Sequence, residues 1–565
     1  MRIAVIFRAA ASFFALGGLM VAVLLCVGAE PNRLPRPQPQ DMVGTPSCTA
    51  VSCHGGGGPR YWSGSSKGAE YVHWLGSGGT FSEGRRPYDP RARLIKSDGD
   101  PHALAAQRMQ EPRFQEVLQR ASGRTDGSID SAMFERCVKC HDPGFEARNT
   151  ERGMRNADGP EEIPAPVERN DVGPSLGFSE PFRAAVAQGI GCETCHGGAR
   201  QWLTLHYQSG VSRGELLQLG MVDTKDLLVR AKLCASCHIG SADQDMNHDM
   251  IAAGHPPLRF EQASYEALLG RKHWDDTPAR AANPNYEVQL WAAGRRAAAF
   301  AALDLLEARS KGTGDGGQGT GSCREKPWPA FAESNCLACH QPLRRNLAET
   351  APQFTVERHL RAPAWQTWNT ALVEATFLPR STTAAELPPP DGSWPTAIQK
   401  LRLVMEQTAE PDRQQVARMV SVAKRAFVGQ TADDLSVLTA SSLLEKIGDL
   451  DRDVTWDEMC QYLAALAAAR RALGDQGKLG AADGGGRESI AVDVVHDGRR
   501  LPQSTPDPLL SQIQQRIDRV AAGLRFVAPN REWPVLYSGD SSFSTAEVLR
   551  DLAQIRQDLL SEARR

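Results

Sequence analysis

The chain has 565 residues, and its 64 Lys and Arg nearly balance 67 Asp and Glu, giving a formal net charge of −3. This length suffices for two or more domains, and the charge gives no basic footprint, so nucleic acid is not an expected partner. Aromatic side chains make up only 6% of the residues, a thin supply for an ordinary apolar core of this size.

Residues 1–29 are predicted to be a signal peptide. Arg2 and Arg8 give a positive start, an uncharged apolar stretch follows, and the small residues Gly28 and Ala29 suit cleavage by signal peptidase. The apolar stretch is long enough that an uncleaved N-terminal membrane anchor is the alternative. Either interpretation predicts an exported, periplasmic protein. Residues 30–47 are polar and rich in Pro, which is typical of a linker.

Cys-x-x-Cys-His occurs four times after this linker, and a stretched copy with four residues between the cysteines precedes the strict copies. With 13 Cys and 13 His in 565 residues, chance would supply on the order of 0.01 strict copies. The motif residues are Cys137, Cys140 and His141; Cys192, Cys195 and His196; Cys234, Cys237 and His238; Cys336, Cys339 and His340; and, in the stretched copy, Cys48, Cys53 and His54.

This motif is typical of covalent haem c attachment. The two thiols add to the vinyl groups of the porphyrin, and the adjacent histidine becomes the proximal ligand of the iron. Zinc is an alternative for paired Cys-x-x-Cys units, but zinc ribbons do not need a histidine after every second cysteine. A redox dithiol would explain one pair and not four. Residues 48–345 are therefore predicted to be a multihaem cytochrome c domain.

The stretched motif is the least certain of the five. Its four intervening residues must bulge to bring both sulfurs to the vinyl carbons, and a local disulfide between Cys48 and Cys53 is the alternative. The glycines at 55–58 resemble Gly197 and Gly198 after the motif at 192–196, and glycine lets the backbone pass a flat ring edge closely. We expect five haems, four of which depend on strict motifs.

Between the motifs and after them the chain is predicted to be mainly α with little sheet. The Ala-rich stretch from Pro284 to Arg309 suits one long helix. Residues 346–565 contain no further motif and are predicted to be a helical C-terminal region packed on the haem core. Glycine-rich loops are predicted at 311–321 and 474–486, and residues 489–495 weakly favour a short strand.

Within this C-terminal region two helices are predicted. Thr455 and Glu458 form a capping box at the start of the first helix, and Gly474 is predicted to end it. The segment 507–526 is the second. Helical periodicity predicts a buried face on the first helix, made of Met459, Leu463, Leu466 and Leu473.

Eight histidines lie outside the motifs, and the second axial ligands must come from among them. Asp100 and Pro101 begin a helix that would hold His102 rigidly. His248 and His255 lie two helical turns apart, with Gly254 ending the helix between them, so one element could serve two haems. The predicted distal ligands are His102, His206, His248, His255 and His273. The others are His73, which competes with His273, His359, which is unassigned, and His496, which is predicted to be solvated.

The run from Cys192 to Pro257, with DPHALA near residue 100 and SNCLACH near residue 336, resembles a known family. It is the family of the exported tetrahaem cytochrome that accepts electrons from hydroxylamine oxidoreductase. The resemblance covers roughly 45–345 and is specific at the haem sites alone. It implies mostly bis-His haems in close, stacked pairs, with one haem that can lack a distal ligand. The chain departs from the family in its stretched first motif, its fifth haem and its long C-terminal region.

The expected function is single-electron transfer between redox partner proteins, because a bis-His iron has no open position for substrate. An enzyme acting on a small nitrogen or sulfur compound at one open haem is the alternative. A third interpretation is a tethered subunit of a membrane-associated respiratory complex, docked through 346–565.

Cys323 and Cys460 lie outside every motif, and they form a disulfide or are buried as small apolar residues.

Overall fold

The computed structural model describes residues 41–43, 100–109, 111–123, 131–145, 190–242, 244–268, 276–312, 328–336, 362–377, 394–427, 433–450, 454–476, 508–524 and 545–564. The chain divides into two compact units, Met1–Pro35 and Arg36–Arg565, and all of the described residues belong to the second. The predicted signal peptide, the stretched motif and the weakly predicted strand at 489–495 lie outside the described residues.

Helices account for 69% of the described residues and strand for 1%, so the predicted mainly α fold class is confirmed. The β pairing found in this part of the chain is an isolated antiparallel bridge between Ser334 and Trp365. In chain order the helices are α1 (Ala105–Arg108), α2 (Pro112–Ser122), α3 (Ser131–His141), α4 (Cys192–His196), α5 (Arg213–Gln218), α6 (Leu227–His238), α7 (His248–Ala253), α8 (Gln262–Leu268), α9 (Thr277–Ala282), α10 (Tyr286–Lys311), α11 (Trp394–Gln407), α12 (Arg413–Lys424), α13 (Asp433–Ser436), α14 (Ala440–Ile447), α15 (Trp456–Gln476), α16 (Pro508–Leu524) and α17 (Thr545–Ala563). Short 3-10 helices are Pro101–Leu104, Phe331–Glu333, Val373–Thr376 and Arg425–Phe427.

Helix α10 confirms the long Ala-rich helix predicted at 284–309, although it begins and ends two residues later. Its C-cap is Gly312, which takes the left-handed conformation at φ +69°. Gly294, the interruption noted in the sequence, faces α8. A Cβ at this position would lie 2.9 Å from the Cβ of Gln262, so the glycine lets the two helices pack closely.

Helix α15 begins with the predicted capping box. The backbone nitrogen of Glu458 donates to the Thr455 hydroxyl at 3.2 Å, and the Thr455 nitrogen donates to the Glu458 carboxylate at 2.7 Å. The predicted end at Gly474 is wrong, because the helix continues to Gln476. An interior glycine costs a helix only about 1 kcal/mol, and packing overrides that cost. The four positions predicted to be buried are buried, but so are most others on the helix.

The largest apolar cluster joins motif helix α6 to α8, α10 and the C-terminal helices α14, α15, α16 and α17. A second cluster joins the end of α10 to α11 and α12. A small third cluster joins α1, α2 and α3 to Met250 of α7. The C-terminal helices therefore share a core with one motif helix, while another motif helix lies in a small core of its own.

Among the helices of the described ranges, none combines the length and the apolar character needed to span a bilayer. The apolar stretch that raised the alternative of an N-terminal anchor is at 9–29, outside these ranges. The anchor and the signal peptide both stay predictions.

Candidate functional site

Each of the three motifs that the structure describes completely lies at the C-terminal end of a helix that ends on the motif histidine. These helices are α3, α4 and α6, ending at His141, His196 and His238. Residues i, i+3 and i+4 lie on one face of an α-helix. The helical conformation therefore places both thiols and the imidazole of one motif on the same side of its helix.

Burial governs the chemistry of three of the thiols of these motifs, those of Cys137, Cys195 and Cys234. It raises the pKa of Cys137 to about 11 and that of Cys195 to about 12. The pKa of Cys234 is raised further, first by burial and then by the Glu266 carboxylate. Thiol exchange and zinc binding both use the thiolate. The raised pKa values therefore disfavour the dithiol alternative at neutral pH.

His141 faces His255, the residue just beyond the end of α7. The two ring centroids are 6.3 Å apart, and the ring planes lie at 83° to each other. The Nδ1 atom of His255 lies 2.8 Å from the Pro256 carbonyl oxygen, and that of His141 lies 3.4 Å from the Ala105 carbonyl oxygen. A hydrogen bond at Nδ1 leaves Nε2 of each ring for a metal.

His238 faces His102 in the same way. Their centroids are 6.0 Å apart, and the ring planes lie at 82°. Asp100 is the N-cap of the 3-10 helix Pro101–Leu104, as predicted, and its Oδ1 atom lies 2.8 Å from Nδ1 of His102. The sequence identified Asp100 as a cap but gave no sign of this contact with the ring.

Both separations match the spacing of two imidazoles on one iron. The bond from a first-row metal to an imidazole nitrogen is about 2.0 Å, and the ring centre lies about 1.1 Å behind it, so opposed axial rings have centroids about 6 Å apart. Each pair joins one motif histidine to one histidine outside the motifs. The residues fit two bis-His haems, attached at Cys137 and Cys140 and at Cys234 and Cys237.

The imidazoles of three of these four histidines are neutral at physiological pH, as iron ligation requires. Burial and the neighbouring His255 lower the pKa of His141 to about 4, and burial and His102 lower the pKa of His238 to about 3. Burial also lowers the pKa of His255. His102 differs, since the hydrogen bond and charge of Asp100 outweigh burial and raise its pKa.

The other predicted distal ligands lie elsewhere. His206 follows α4, and its Nδ1 atom lies 2.6 Å from the Leu203 carbonyl oxygen. His248 begins α7, and its ring lies 5.6 Å from that of Phe331, which leads into the last motif. His273 and His73 lie outside the described residues. The alternative of an open haem depends on these two histidines and stays a prediction. Ligation by His206, His248 and His273 stays a prediction.

The last motif is described only at Cys336. Nη2 of Arg259 lies 3.4 Å from the Cys336 sulfur, and its guanidinium lies 4.7 Å from the ring centre of Trp456 in α15. This arginine therefore connects the last motif to the C-terminal helices. Cys339 and His340 lie outside the described residues.

The glycines after His196 permit close approach of the backbone to neighbouring segments. A Cβ at Gly197 would lie 2.2 Å from the Gly220 carbonyl oxygen, and a Cβ at Gly198 would lie 2.8 Å from the Asp41 carbonyl oxygen. They permit close approach of backbone segments to each other. The predicted role of these glycines beside a haem edge stays a prediction, and those at 55–58 lie outside the described residues.

Several residues that support the site could not be identified from the sequence, because no motif marks them. Glu193, inside the motif at 192–196, is buried and accepts from the backbone nitrogens of Val43 and Ala199, both at 2.8 Å. Arg230, one turn before Cys234, donates to Asp276 at 3.0 Å. These contacts join distant parts of the chain, so no local pattern reveals them.

Cys460 is fully buried within α15 and is not in a disulfide. Burial raises its pKa well above the ordinary thiol value. Its surroundings agree with the apolar alternative predicted for it. Cys323 lies outside the described residues.

Among the described ranges, no group of three or more His, Cys, Asp or Glu side chains is arranged to hold a metal ion. No protein-family model, no curated protein and no solved structure matches this chain. The resemblance to the tetrahaem cytochrome family stays a prediction from the motifs.

Proposed function

We propose that this chain is an exported multihaem c-type cytochrome that passes single electrons between redox partner proteins. The observation that carries the proposal is the pairing of two motif histidines, His141 and His238, with two histidines outside the motifs. Two separate pairs have the spacing of axial ligands on one iron, and each motif histidine directly follows the second of two thiols on one helical face.

The chain's own residues support an electron carrier over an enzyme at these two sites. A haem held here would supply a one-electron couple with both axial positions occupied. His102 and His255 would occupy the positions that a substrate needs, and both rings are held by hydrogen bonds at Nδ1. Imidazole ligation on both sides favours lower potentials than ligation by methionine does.

Proximity among the motifs also supports electron transfer. The thiol of Cys195 interacts electrostatically with Cys237, and that of Cys234 with Cys195. The amide of Gln244 contacts both Cys140 and Cys237. The three completely described motifs therefore converge on one region, as electron exchange among their haems would require.

The experiment is production of the full chain in a bacterial host that attaches haem c, followed by intact mass and an optical spectrum. We expect a red protein with at least four covalent haems and with reduced bands of the low-spin type. Changing Cys137 and Cys140 together to Ala should remove one haem. The matched control is Cys460→Ala, a buried cysteine outside every motif, which should leave the haem count unchanged.

A colourless protein with alkylatable motif thiols would overturn the proposal. A redox titration is a second check, because midpoint potentials all above about +200 mV would contradict bis-His ligation. Carbon monoxide separates the carrier from the enzyme alternative. A carrier with every iron six-coordinate shows no spectral change with this gas, whereas an open haem does.

A further inference from the structure

Gln244 lies between two haem-attachment motifs. Its side-chain nitrogen Nε2 lies 2.6 Å from the Lys139 carbonyl oxygen, 3.4 Å from the Cys140 sulfur and 3.7 Å from the Cys237 sulfur. The side chain is buried, with the residue 6% exposed. Cys140 and Cys237 each directly precede a histidine of the two axial pairs. One amide thus contacts a cysteine of each of the two haem-attachment motifs.

The turn after α6 holds this amide in place. The backbone nitrogen of Gln244 donates to the Ser241 carbonyl oxygen at 2.9 Å, and the Ser241 hydroxyl donates to the Gln244 side-chain oxygen at 3.3 Å. Gly240 has φ +110°, and a Cβ there would lie 2.6 Å from the Gln244 carbonyl oxygen. The glycine is therefore required for the turn that carries Gln244.

The next residue, Asp245, fixes the turn to two other elements. Its carboxylate accepts from Arg309 of α10 at 2.5 Å, and its carbonyl oxygen accepts from Arg136 of α3 at 2.8 Å. Arg309 also pairs with Glu333, which precedes the last motif. Gln244 is therefore held by both of its neighbouring segments.

The geometry sets a limit on the distance between the two motifs. Since both sulfurs lie within 3.7 Å of one nitrogen, they are no more than about 7 Å apart, with an amide between them. A thioether sulfur is a weak hydrogen-bond acceptor, and a primary amide carries two donor hydrogens. The contact therefore remains available after the sulfurs have reacted with vinyl groups.

We propose that Gln244 couples the haems attached at α3 and α6, with one Nε2 hydrogen donated to the Lys139 carbonyl oxygen and the other shared between the Cys140 and Cys237 sulfurs. The inference depends on the proposed function. In the step that it supports, one electron leaves a ferrous iron and reduces a ferric iron; no bond is made or broken and no proton moves. The amide shortens the gap between the two attachment points, and it fixes their separation.

The test uses the full-length holoprotein and the variant Gln244→Leu, which keeps the size of the side chain and removes its donors. The matched control is Gln208→Leu. Gln208 also donates to a backbone carbonyl, that of Thr204 at 2.6 Å, but at an exposed position. Intact mass gives the haem count, exchange NMR on the haem methyl signals gives the electron-exchange rate, and potentiometry gives the midpoints.

We expect Gln244→Leu to keep all haems, to slow exchange between these two haems several-fold and to lower both midpoints, because a donor to sulfur is lost. Gln208→Leu should change none of the three. Exchange as fast as in the wild type, with full haem content, would overturn the inference alone, while a haem-free wild type overturns the proposed function. Should Gln244→Leu not fold, Gln244→Met, which also lacks donors and fills a similar volume, gives the same two outcomes.

Discussion

The two histidine pairs have nearly the same internal geometry in very different surroundings. His141 ends α3, whose residues Cys137 and Val138 belong to the small apolar cluster, and Nδ1 of its partner His255 lies 2.8 Å from a backbone carbonyl oxygen. His238 lies on α6, which is part of the largest cluster. Its partner His102 is held by the buried carboxylate of Asp100. Under the proposed function the motif would specify haem attachment, whereas the surroundings distinguish one histidine pair from the other.

This difference predicts an order of potentials. A carboxylate that accepts from Nδ1 makes the imidazole a stronger donor to its metal, and the added negative charge favours ferric iron. A peptide carbonyl, which carries no net charge, strengthens the imidazole as a donor to a smaller extent. We therefore expect a lower midpoint at the His102–His238 site than at the His141–His255 site.

Removing the distal ligands should have the largest effect. His102→Ala and His255→Ala each leave one iron with an open position, so each reduced variant should bind carbon monoxide at one haem. The measurement is the optical change with the gas, together with loss of one low-spin signal in the EPR spectrum. His496→Ala, at the position predicted to be solvated, is the control. If the same signal disappears in both ligand variants, the two pairs do not belong to separate irons.

Arg230 lies on α6, the helix that ends at His238, and its ion pairs should make this region contribute more to the free energy of unfolding than the region of His141 does. It donates to Asp276 at 3.0 Å and to the Tyr286 hydroxyl at 2.6 Å, all within the core beside Cys234. Arg230→Met removes the closest cation of the buried Asp276 carboxylate and leaves it with Arg280 at 4.0 Å, and we expect a loss of about 3 kcal/mol in the free energy of unfolding. Denaturant unfolding measures it.

The control is Arg120→Met on α2, whose pair with Glu116 is exposed and should matter little. Acid titration gives a second arm. Arg230 lowers the pKa of Asp276 against the opposing effect of burial, so their pair stabilises the fold above the ordinary Asp pKa. That contribution disappears as the pH falls through the lowered value. A wild-type stability with the same acid dependence as Arg230→Met would contradict the assignment.

Asp100→Asn tests the order of potentials directly. Asn caps helices as well as Asp does, so the variant removes the charge and keeps the cap. Charge-assisted hydrogen bonds are about twice as strong as neutral ones. We expect the hydrogen bond between His102 and residue 100 to weaken by about 1 kcal/mol in the variant. One midpoint should rise, and the other should stay unchanged.

The control for this charge change is Asp226→Asn. Asp226 caps α6, the helix that carries His238, but at its opposite end. Potentiometry of both variants measures the difference. A rise of equal size in Asp226→Asn would attribute the effect to net charge and not to the contact with His102.

Local features of the sequence predicted the helix starts at Asp100 and Thr455 and the helix end at Gly254, although the end predicted at Gly474 was wrong. The capping residues Asp100 and Thr455 and the left-handed Gly254 act within a few residues of themselves, so a local pattern contains the information. The pairing of His102 with His238 depends on helices packing together from distant parts of the chain, and the sequence identified the candidates without their partners. Gln244 is a polar residue in an ordinary turn, and only the packing of α3 beside that turn gives its side chain a role.

The smallest expected difference comes from the aromatic neighbours of the two motif histidines. Phe260 stacks on His238 with centroids 4.6 Å apart and planes at 26°, whereas Phe114 meets His141 at 5.9 Å and 70°. Phe260 is buried and Phe114 is only partly buried. Aromatic pairs contribute about 0.5–1.5 kcal/mol beyond the area they bury.

Phe260→Leu should therefore cost more stability than Phe114→Leu, by a margin within that range, with the haem count unchanged in both. Denaturant unfolding of the two variants measures the difference, and intact mass shows that each variant still carries its haems. An equal loss in both variants would mean that the stacked ring against His238 adds nothing beyond its buried area. The distinction between the two sites would then be confined to the hydrogen bond that His102 donates to Asp100 and the ion pairs of Arg230.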